Sequence, residues 1–325
     1  MQALVFDGTQ PILDPRRDEL APPPGEVLIR PTRLGVCATD LEICRGYMGF
    51  SGVLGHEFVG VVEVVSEKKH ADWIGQRVVG NINCVRSVCD LCKAGLRDHA
   101  RDRSVLGIKE RDGCFADLFA LPAENLYAVP DHVDDDHAVF TEPLAAAFQV
   151  LRQLTVEGRP FITVLGDGRL GLLVAQVVNT LNATVRVVGK HEEKLRLCEK
   201  WGIKHRRLAD VGLRQDQDIV IDCTGSPRGL ETAMQMVRPR GTVVMKTTTA
   251  PPGPGEPAVD LSPLVVHEIT LLGSRCGPIP DALEALSAQT VDVVSLITKR
   301  MKLADGVAAL KAATRPEHIK VLLEP

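Results

Sequence analysis

The chain has 325 residues, 45% hydrophobic and 25% charged, enough apolar material for more than one core and for about two domains. Its 38 basic and 42 acidic residues leave a net charge of −4, so neither nucleic acid nor an anionic membrane is an expected partner, and no apolar run approaches the ~18–20 residues of a membrane span. Met1–Asp7 shows no basic segment leading into a long apolar stretch, and nine cysteines are an odd number. These features suggest a soluble, cytoplasmic protein whose thiols are free or bind metal, rather than an exported disulfide framework.

Residues 1–150 carry short alternating apolar segments, such as Glu26–Arg30 and Glu57–Val65, punctuated by Pro22-Pro23-Pro24-Gly25. This composition predicts a β-rich domain. Within it lie Cys37-Ala38-Thr39-Asp40 and Gly55-His56-Glu57, and Thr141-Glu142-Pro143-Leu144 follows at its end. A thiolate, an imidazole and a carboxylate could form an open zinc site with one position left for water or substrate. Taken singly, Cys37 could equally be a small core residue, His56 a hydrogen-bonded core histidine and Glu142 an acid favoured by a helix N-terminus. Tyr47, Met48 and Phe50 could line a pocket or simply pack. His132 and His137 among Asp131, Asp134, Asp135 and Asp136 read as a solvated acidic loop. Cys44, Cys114, Cys198, Cys223 and Cys276 show no ligand spacing and read as small buried residues.

From 151 to 277 the pattern changes. The strand Phe161–Leu165 runs into Gly166-Asp167-Gly168-Arg169-Leu170-Gly171, which opens a helix over 170–180. A G-x-G-x-x-G sequence between strand and helix is the context of a dinucleotide turn, whose glycines let backbone approach a pyrophosphate at a helix N-terminus. A strand over 184–188 and a charged helix over 191–201 come next. An NAD site usually places an acid after that second strand. Here Gly189, Lys190 and His191 stand there, with Lys194 a turn later, so NADP is favoured over NAD. Strands over 218–222, 242–245 and 269–273 complete a parallel, doubly wound sheet. Pro251–Pro257 reads as a loop, because its prolines exclude a helix or a central strand. Residues 278–325 begin with a helix whose apolar positions include Leu283 and Leu286, and end in a mixed tail containing Lys320-Val321-Leu322.

The C-x-T-D, G-H-E and E-P-L segments, in this order before a G-x-G-x-x-G unit and joined by Asp222-Cys223-Thr224-Gly225-Ser226, Gly273-Ser274-Arg275 and Lys320-Val321-Leu322, resemble the zinc-dependent medium-chain dehydrogenases/reductases, the alcohol and polyol dehydrogenase family. The resemblance covers essentially the whole chain. It implies an α/β protein with a GroES-like β-rich catalytic domain over 1–150, completed by 278–325, and a Rossmann domain over 151–277. An interdomain cleft would hold zinc and nicotinamide, and the subunits would form a homodimer or homotetramer. It implies that Cys37, His56 and Glu142 hold the catalytic zinc, with Glu57 as a ligand that exchanges with water. Thr39 would relay the substrate proton, Asp40 would support a histidine ligand from behind, and Gly166, Gly168, Leu170, Gly171, Gly189, Lys190, His191, Thr224 and Arg275 would contact the cofactor. The implied reaction passes hydride between a secondary alcohol, polyol or sugar-like substrate and NADP(H). Two other readings stand beside it, a zinc-free quinone or enone reductase of the same superfamily and a non-enzymatic NADPH-binding sensor or interaction protein.

The chain departs from the family pattern in two places. Glu42 stands where members often end their proton relay with a histidine, so that either Glu42 serves as the base or the relay exits through water. The structural-zinc lobe keeps Cys89 and Cys92 but has Arg86 and Ala100 at its other two ligand positions, with Cys84 and His99 as near neighbours that could substitute in a Cys₃His site. The expectation is that this second site is lost, since a structural zinc needs four good ligands.

Overall fold

A computed structural model describes residues 1–18, 20–248 and 258–325; Pro251–Pro257, expected as a loop, lies outside the described residues. The chain divides into two compact units, one made of Met1–Glu142 with Ile279–Pro325 and the other of Pro143–Pro278. The helix Thr141–Gln153 spans the boundary.

The first unit is built on a seven-stranded sheet. Its main path runs Leu126–Ala128, Arg77–Gly80, Glu57–Val65, Glu26–Gly35, Lys320–Glu324 and Ile297–Lys302, and Phe119–Pro122 also pairs with Glu26–Gly35. The long central pair Glu26–Gly35 and Glu57–Val65 is antiparallel. Both strands are buried over consecutive residues for much of their length, with Ile29, Leu34 and Val59 wholly buried. Phe58 and Phe119 meet edge to face with centroids 4.7 Å apart, a favoured aromatic geometry. The C-terminal strand Lys320–Glu324 lies antiparallel to Glu26–Gly35 and parallel to Ile297–Lys302, so residues nearly 300 positions apart become neighbours. A smaller sheet joins Pro11–Asp14, Ala3–Phe6 and Gly52–Val53.

The acidic stretch near residue 134 differs from expectation in part. Asp136 pairs with Arg33 at 3.0 Å and also with Arg300, and Asp135 pairs with Arg77 at 3.2 Å. Asp134 caps the short helix Asp135–Ala138 by accepting the His137 backbone N–H. The arginines come from distant strands, so Asp135 and Asp136 form an ion-paired junction, while Asp131, His132 and Asp134 stay exposed as the solvated-loop reading expects. Among the cysteines expected to be buried, Cys114 and Cys198 are, whereas Cys44, Cys223 and Cys276 are only half-buried.

The second unit is a six-stranded sheet with every neighbouring pair parallel. Taking Phe161–Leu165 as its first strand, the spatial order is third, second, first, fourth, fifth, sixth, with Lys204–Arg207 and Thr270–Gly273 at the edges. This is the doubly wound arrangement, and its order reverses between Phe161–Leu165 and Gln217–Asp222. The inner strands are buried on both faces, which is why they read as near-continuous apolar runs. Helices Arg169–Val178, Glu192–Lys200 and Pro227–Met236 supply the crossovers. The edge strand Lys204–Arg207 is Lys-His-Arg-Arg, a charged sequence that discourages pairing with another chain.

Candidate active site

In the first unit, strand register gathers the chemistry. Gly35 pairs with Glu57 across the central strands, so Cys37, just past one strand end, and His56, just before the next, arrive at the same edge. Leu322 also pairs with Gly35, which brings Lys320 to that edge from the third strand. Cys37 precedes the helix Ala38–Ile43, and its backbone N–H donates to Asp40 Oδ2 at 2.8 Å.

One donor atom from each of Cys37, His56 and Glu57 lies within 4.8 Å of the others, and this is the only such group of three among the described residues. Glu142 stands half-buried in the first turn of Thr141–Gln153 and is not part of the group. Glu57, implied by the resemblance as an exchanging ligand, converges with the thiol and the imidazole. The physical reason is register, since Glu57 opens the strand that directly follows His56.

Asp40, fully buried, sits behind His56 with Oδ1 3.3 Å from Nδ1. Burial opposes a charged imidazole, but Asp40 and Cys37 outweigh it and hold the His56 pKa well above its usual value. Glu57 Oε2 meets the Lys320 ammonium, and both side chains are completely buried. Lys320 also donates to the Val36 carbonyl at 3.3 Å and lies 5.5 Å from the Phe140 ring centroid. Burial pulls the Lys320 pKa down to about 8 against the opposing pull of Cys37 and Asp40. The other Glu57 oxygen, Oε1, is buried without a hydrogen-bond partner. An unpaired carboxylate oxygen beside a thiol and an imidazole is a donor set suited to zinc, so these residues fit the metal. Thr39 Oγ1 lies 3.7 Å from Cys37 Sγ. Glu42 is held by Arg45 at 2.6 Å on an exposed surface.

In the second unit, Gly166 N–H donates to Val188 O and Cys223 N–H to Leu165 O, both at 2.8 Å, which seats the glycine turn at the strand-order reversal. Gly168 caps the helix Arg169–Val178, whose second residue is the half-buried Leu170. A Cβ at Gly171 would collide with the Gly166 carbonyl, so only glycine allows this closure. A Gly171→Ala variant is expected to lose tight dinucleotide binding, read by calorimetric titration, while the fold of the other unit persists.

Asp167 was not singled out from the sequence. Its carboxylate accepts the backbone N–H groups of Lys190 at 2.7 Å and His191 at 2.6 Å, and lies 3.2 Å from His191 Nδ1. A Cβ at Gly189 would run into it. The acid that other dinucleotide sites carry after the second strand therefore has no room here. Lys190 is exposed, and Arg207, also exposed, pairs with Gly189 in register. Lys194, on the helix Glu192–Lys200, is buried. Thr224, exposed, donates its hydroxyl to Asp222 Oδ1 at 2.7 Å, and the exposed Arg275 accepts from Lys246 through its carbonyl. Lys320 carried no assigned role in the sequence; its signal was only the Lys320-Val321-Leu322 segment.

Among the described residues of the lobe around Cys89, no three donor atoms converge. Cys89 and Cys92 Sγ atoms are 3.6 Å apart. Cys84 is buried elsewhere, donating to the Ile82 carbonyl at 3.7 Å, and His99 is exposed on the turn Arg97–His99. No third donor from the lobe joins the pair among the described residues.

Comparison with known proteins agrees with this architecture. The alcohol dehydrogenase GroES-like domain model matches residues 23–131, and the zinc-binding dehydrogenase model matches residues 170–291. An L-threonine 3-dehydrogenase from Streptomyces avermitilis is 30% identical, with 100% of this chain and 99% of the relative covered. A sorbitol dehydrogenase from Halalkalibacterium halodurans is 27% identical at the same coverage. A crystal structure of a short chain alcohol dehydrogenase from E. coli CFT073, complexed with NADH, superimposes with a TM-score of 0.89 at 24% identity, covering 100% of this chain and 99% of that one. With both halves matched and the glycine turn and zinc-type donor set in place, the chain belongs to the zinc-type medium-chain alcohol and polyol dehydrogenase family.

Proposed function

We propose that this protein is a zinc-dependent oxidoreductase that passes hydride between a secondary alcohol, polyol or sugar-like substrate and NADP(H). The observation that carries the reading is the convergence of Cys37, His56 and Glu57 donors within 4.8 Å. A zinc ion held there supplies Lewis acidity, lowering the pKa of a substrate hydroxyl. Asp40 fixes the orientation of His56 and favours its basicity. Thr39, beside Cys37, takes the substrate proton at Oγ1 and passes it onward. Glu42 is tied up by Arg45, so the proton leaves to solvent rather than resting on that carboxylate. Gly166, Gly168 and Gly171 of the other unit would hold the dinucleotide, which would supply the hydride chemistry when bound. The L-threonine, sorbitol and 2-dehydro-3-deoxy-L-galactonate dehydrogenases among the relatives support a hydroxyl-bearing polar substrate.

NADP is preferred on the evidence of residues 189–207. A carboxylate is missing after the second strand, and Lys190 and Arg207 flank Gly189 with exposed cationic side chains suited to a 2′-phosphate. Replacing Arg207 with alanine is expected to raise KM for NADP by about 10–100-fold, the loss of roughly 1.5–3 kcal/mol of charge-assisted hydrogen bonding, and to leave KM for NAD nearly unchanged. Equal changes for both cofactors would remove the argument for NADP. The direct test is a dehydrogenase screen over secondary alcohols, polyols and sugar acids, run with NAD and NADP in parallel and with zinc measured on the same sample. Turnover with about one zinc per chain supports the reading. Cofactor-dependent reduction of quinones or enones by zinc-free protein, or cofactor binding without turnover, would replace it.

A further inference from the structure

The lobe over residues 84–104 keeps two of the four ligand positions of a metal site, Cys89 and Cys92. Arg86, at one ligand position, is exposed and paired with Glu110 at 3.2 Å, and Ala100, at another, is fully buried and offers no donor. Cys84 cannot readily substitute, because burial pushes its thiol up to about 12 and its sulfur is already engaged with the Ile82 carbonyl and the Asn125 amide. What remains is a pair. Cys89 immediately precedes the short helix Asp90–Lys93, Cys92 lies on it, and their sulfurs are 3.6 Å apart. Both side chains are half-buried, within a surface formed by the exposed Arg86, Ser87 and Val88.

We propose that Cys89 and Cys92 are a reversible dithiol–disulfide site that reacts with small-molecule disulfides, in place of the second zinc. The approach needed to bond the sulfurs is about 1.5 Å, since a disulfide spans about 2.05 Å. Rotation of two side chains on a surface lobe can supply it. Cys89 is the attacking sulfur. Cys92 instead donates to the Ser87 carbonyl at 3.9 Å and serves as the resolving thiol.

The exchange balances. Cys89 thiolate attacks one sulfur of R–S–S–R, that S–S bond breaks, and one thiolate R–S⁻ leaves. Cys92 then loses its proton and attacks the Cys89 sulfur, forming the protein disulfide and expelling the second R–S⁻. Two protein thiols are oxidised by two electrons, one small disulfide is reduced to two thiols, and the two protons released by the protein end on them.

The test uses the full-length protein as purified, equilibrated with glutathione and glutathione disulfide at a series of ratios. Free thiols are then trapped with an alkylating reagent and the protein read by intact mass and peptide mapping. The expected result is loss of two of the nine alkylatable thiols, mapped to a peptide linking Cys89 to Cys92, reversed by excess reduced glutathione, with zinc content unchanged. Cys92→Ser should instead accumulate a stable glutathione adduct at Cys89, and the Cys89→Ser, Cys92→Ser double variant should lose no thiols in this range and keep the wild-type zinc content. Release of a zinc ion in step with the two thiols would overturn the proposal in favour of a metal lobe. A persistent wild-type adduct, or oxidation mapping to other cysteines, would overturn it equally. None of these readouts depends on catalytic turnover, so the result stands apart from that of the substrate screen.

Discussion

Replacing Cys37 with serine is expected to bring zinc from about one ion per chain to near zero and turnover down by about a thousandfold or more, while dinucleotide binding is kept. Sulfur is the strongest zinc donor of the converging three, and the Lewis acid it helps to hold provides several kcal/mol of stabilisation to developing negative charge. The cofactor turn lies in the other unit, on residues 166–171, so its binding should survive. The two glutamates separate the competing ligand sets. Glu57→Gln is expected to weaken zinc affinity by at least 10–100-fold, because Glu57 is the carboxylate that meets Cys37 and His56. Glu142→Gln is expected to leave the metal content close to wild type. Metal analysis of the two variants after dialysis against a mild chelator checks this, and the opposite ranking would return Glu142 to the ligand set.

The second large effect is expected at Lys320. Its ammonium and the Glu57 carboxylate are both fully buried, and removing one member of such a pair leaves a charge with no compensation. Lys320→Met should therefore cost about 3–5 kcal/mol in zinc-stripped protein at pH 7, roughly a 10 °C fall in Tm. The double variant Lys320→Met, Glu57→Leu should recover most of that loss, because matched apolar side chains replace a buried pair at little cost. Zinc loading should shrink the effect of the single variant, since a divalent ion on Glu57 then balances the carboxylate. Calorimetric scans with and without zinc measure the difference. An equal loss in both states would mean that Lys320 stabilises the fold through packing alone, including its contact with Phe140.

The second unit was the more legible in sequence. Its strands are buried on both faces, so Phe161–Leu165 and Gln217–Asp222 announce themselves as apolar runs, and the glycine turn carries its own steric reason. The first unit was legible as β-rich, but its sheet order was not. The pairing of Leu322 with Gly35 depends on contacts across nearly the whole chain, which local patterning does not encode. The same limit explains the site. Cys37, His56 and Glu57 stood out as residue types, yet the strand register that brings their donor atoms within reach of one another is not written in local sequence. The role of Lys320 depends on a tail strand that the sequence suggested only as a mixed tail. Part of the acidic stretch misled for a related reason, because its partners Arg33, Arg77 and Arg300 come from three separate strands. Asp167 escaped notice because it occupies one of the variable positions in a motif defined by its glycines.

The insertion of Lys320–Glu324 beside Glu26–Gly35 also bears on the order of assembly during synthesis. The unit over residues 143–278 is continuous and can close as soon as it emerges, while the unit that begins first must wait for the final strand. A ribosome-bound chain thus passes through a stage in which the thiol, imidazole and acid are already made but the lysine that neutralises the acid has not yet arrived. Until that strand arrives, the Glu57 carboxylate lacks the ammonium that pairs with it in the finished unit.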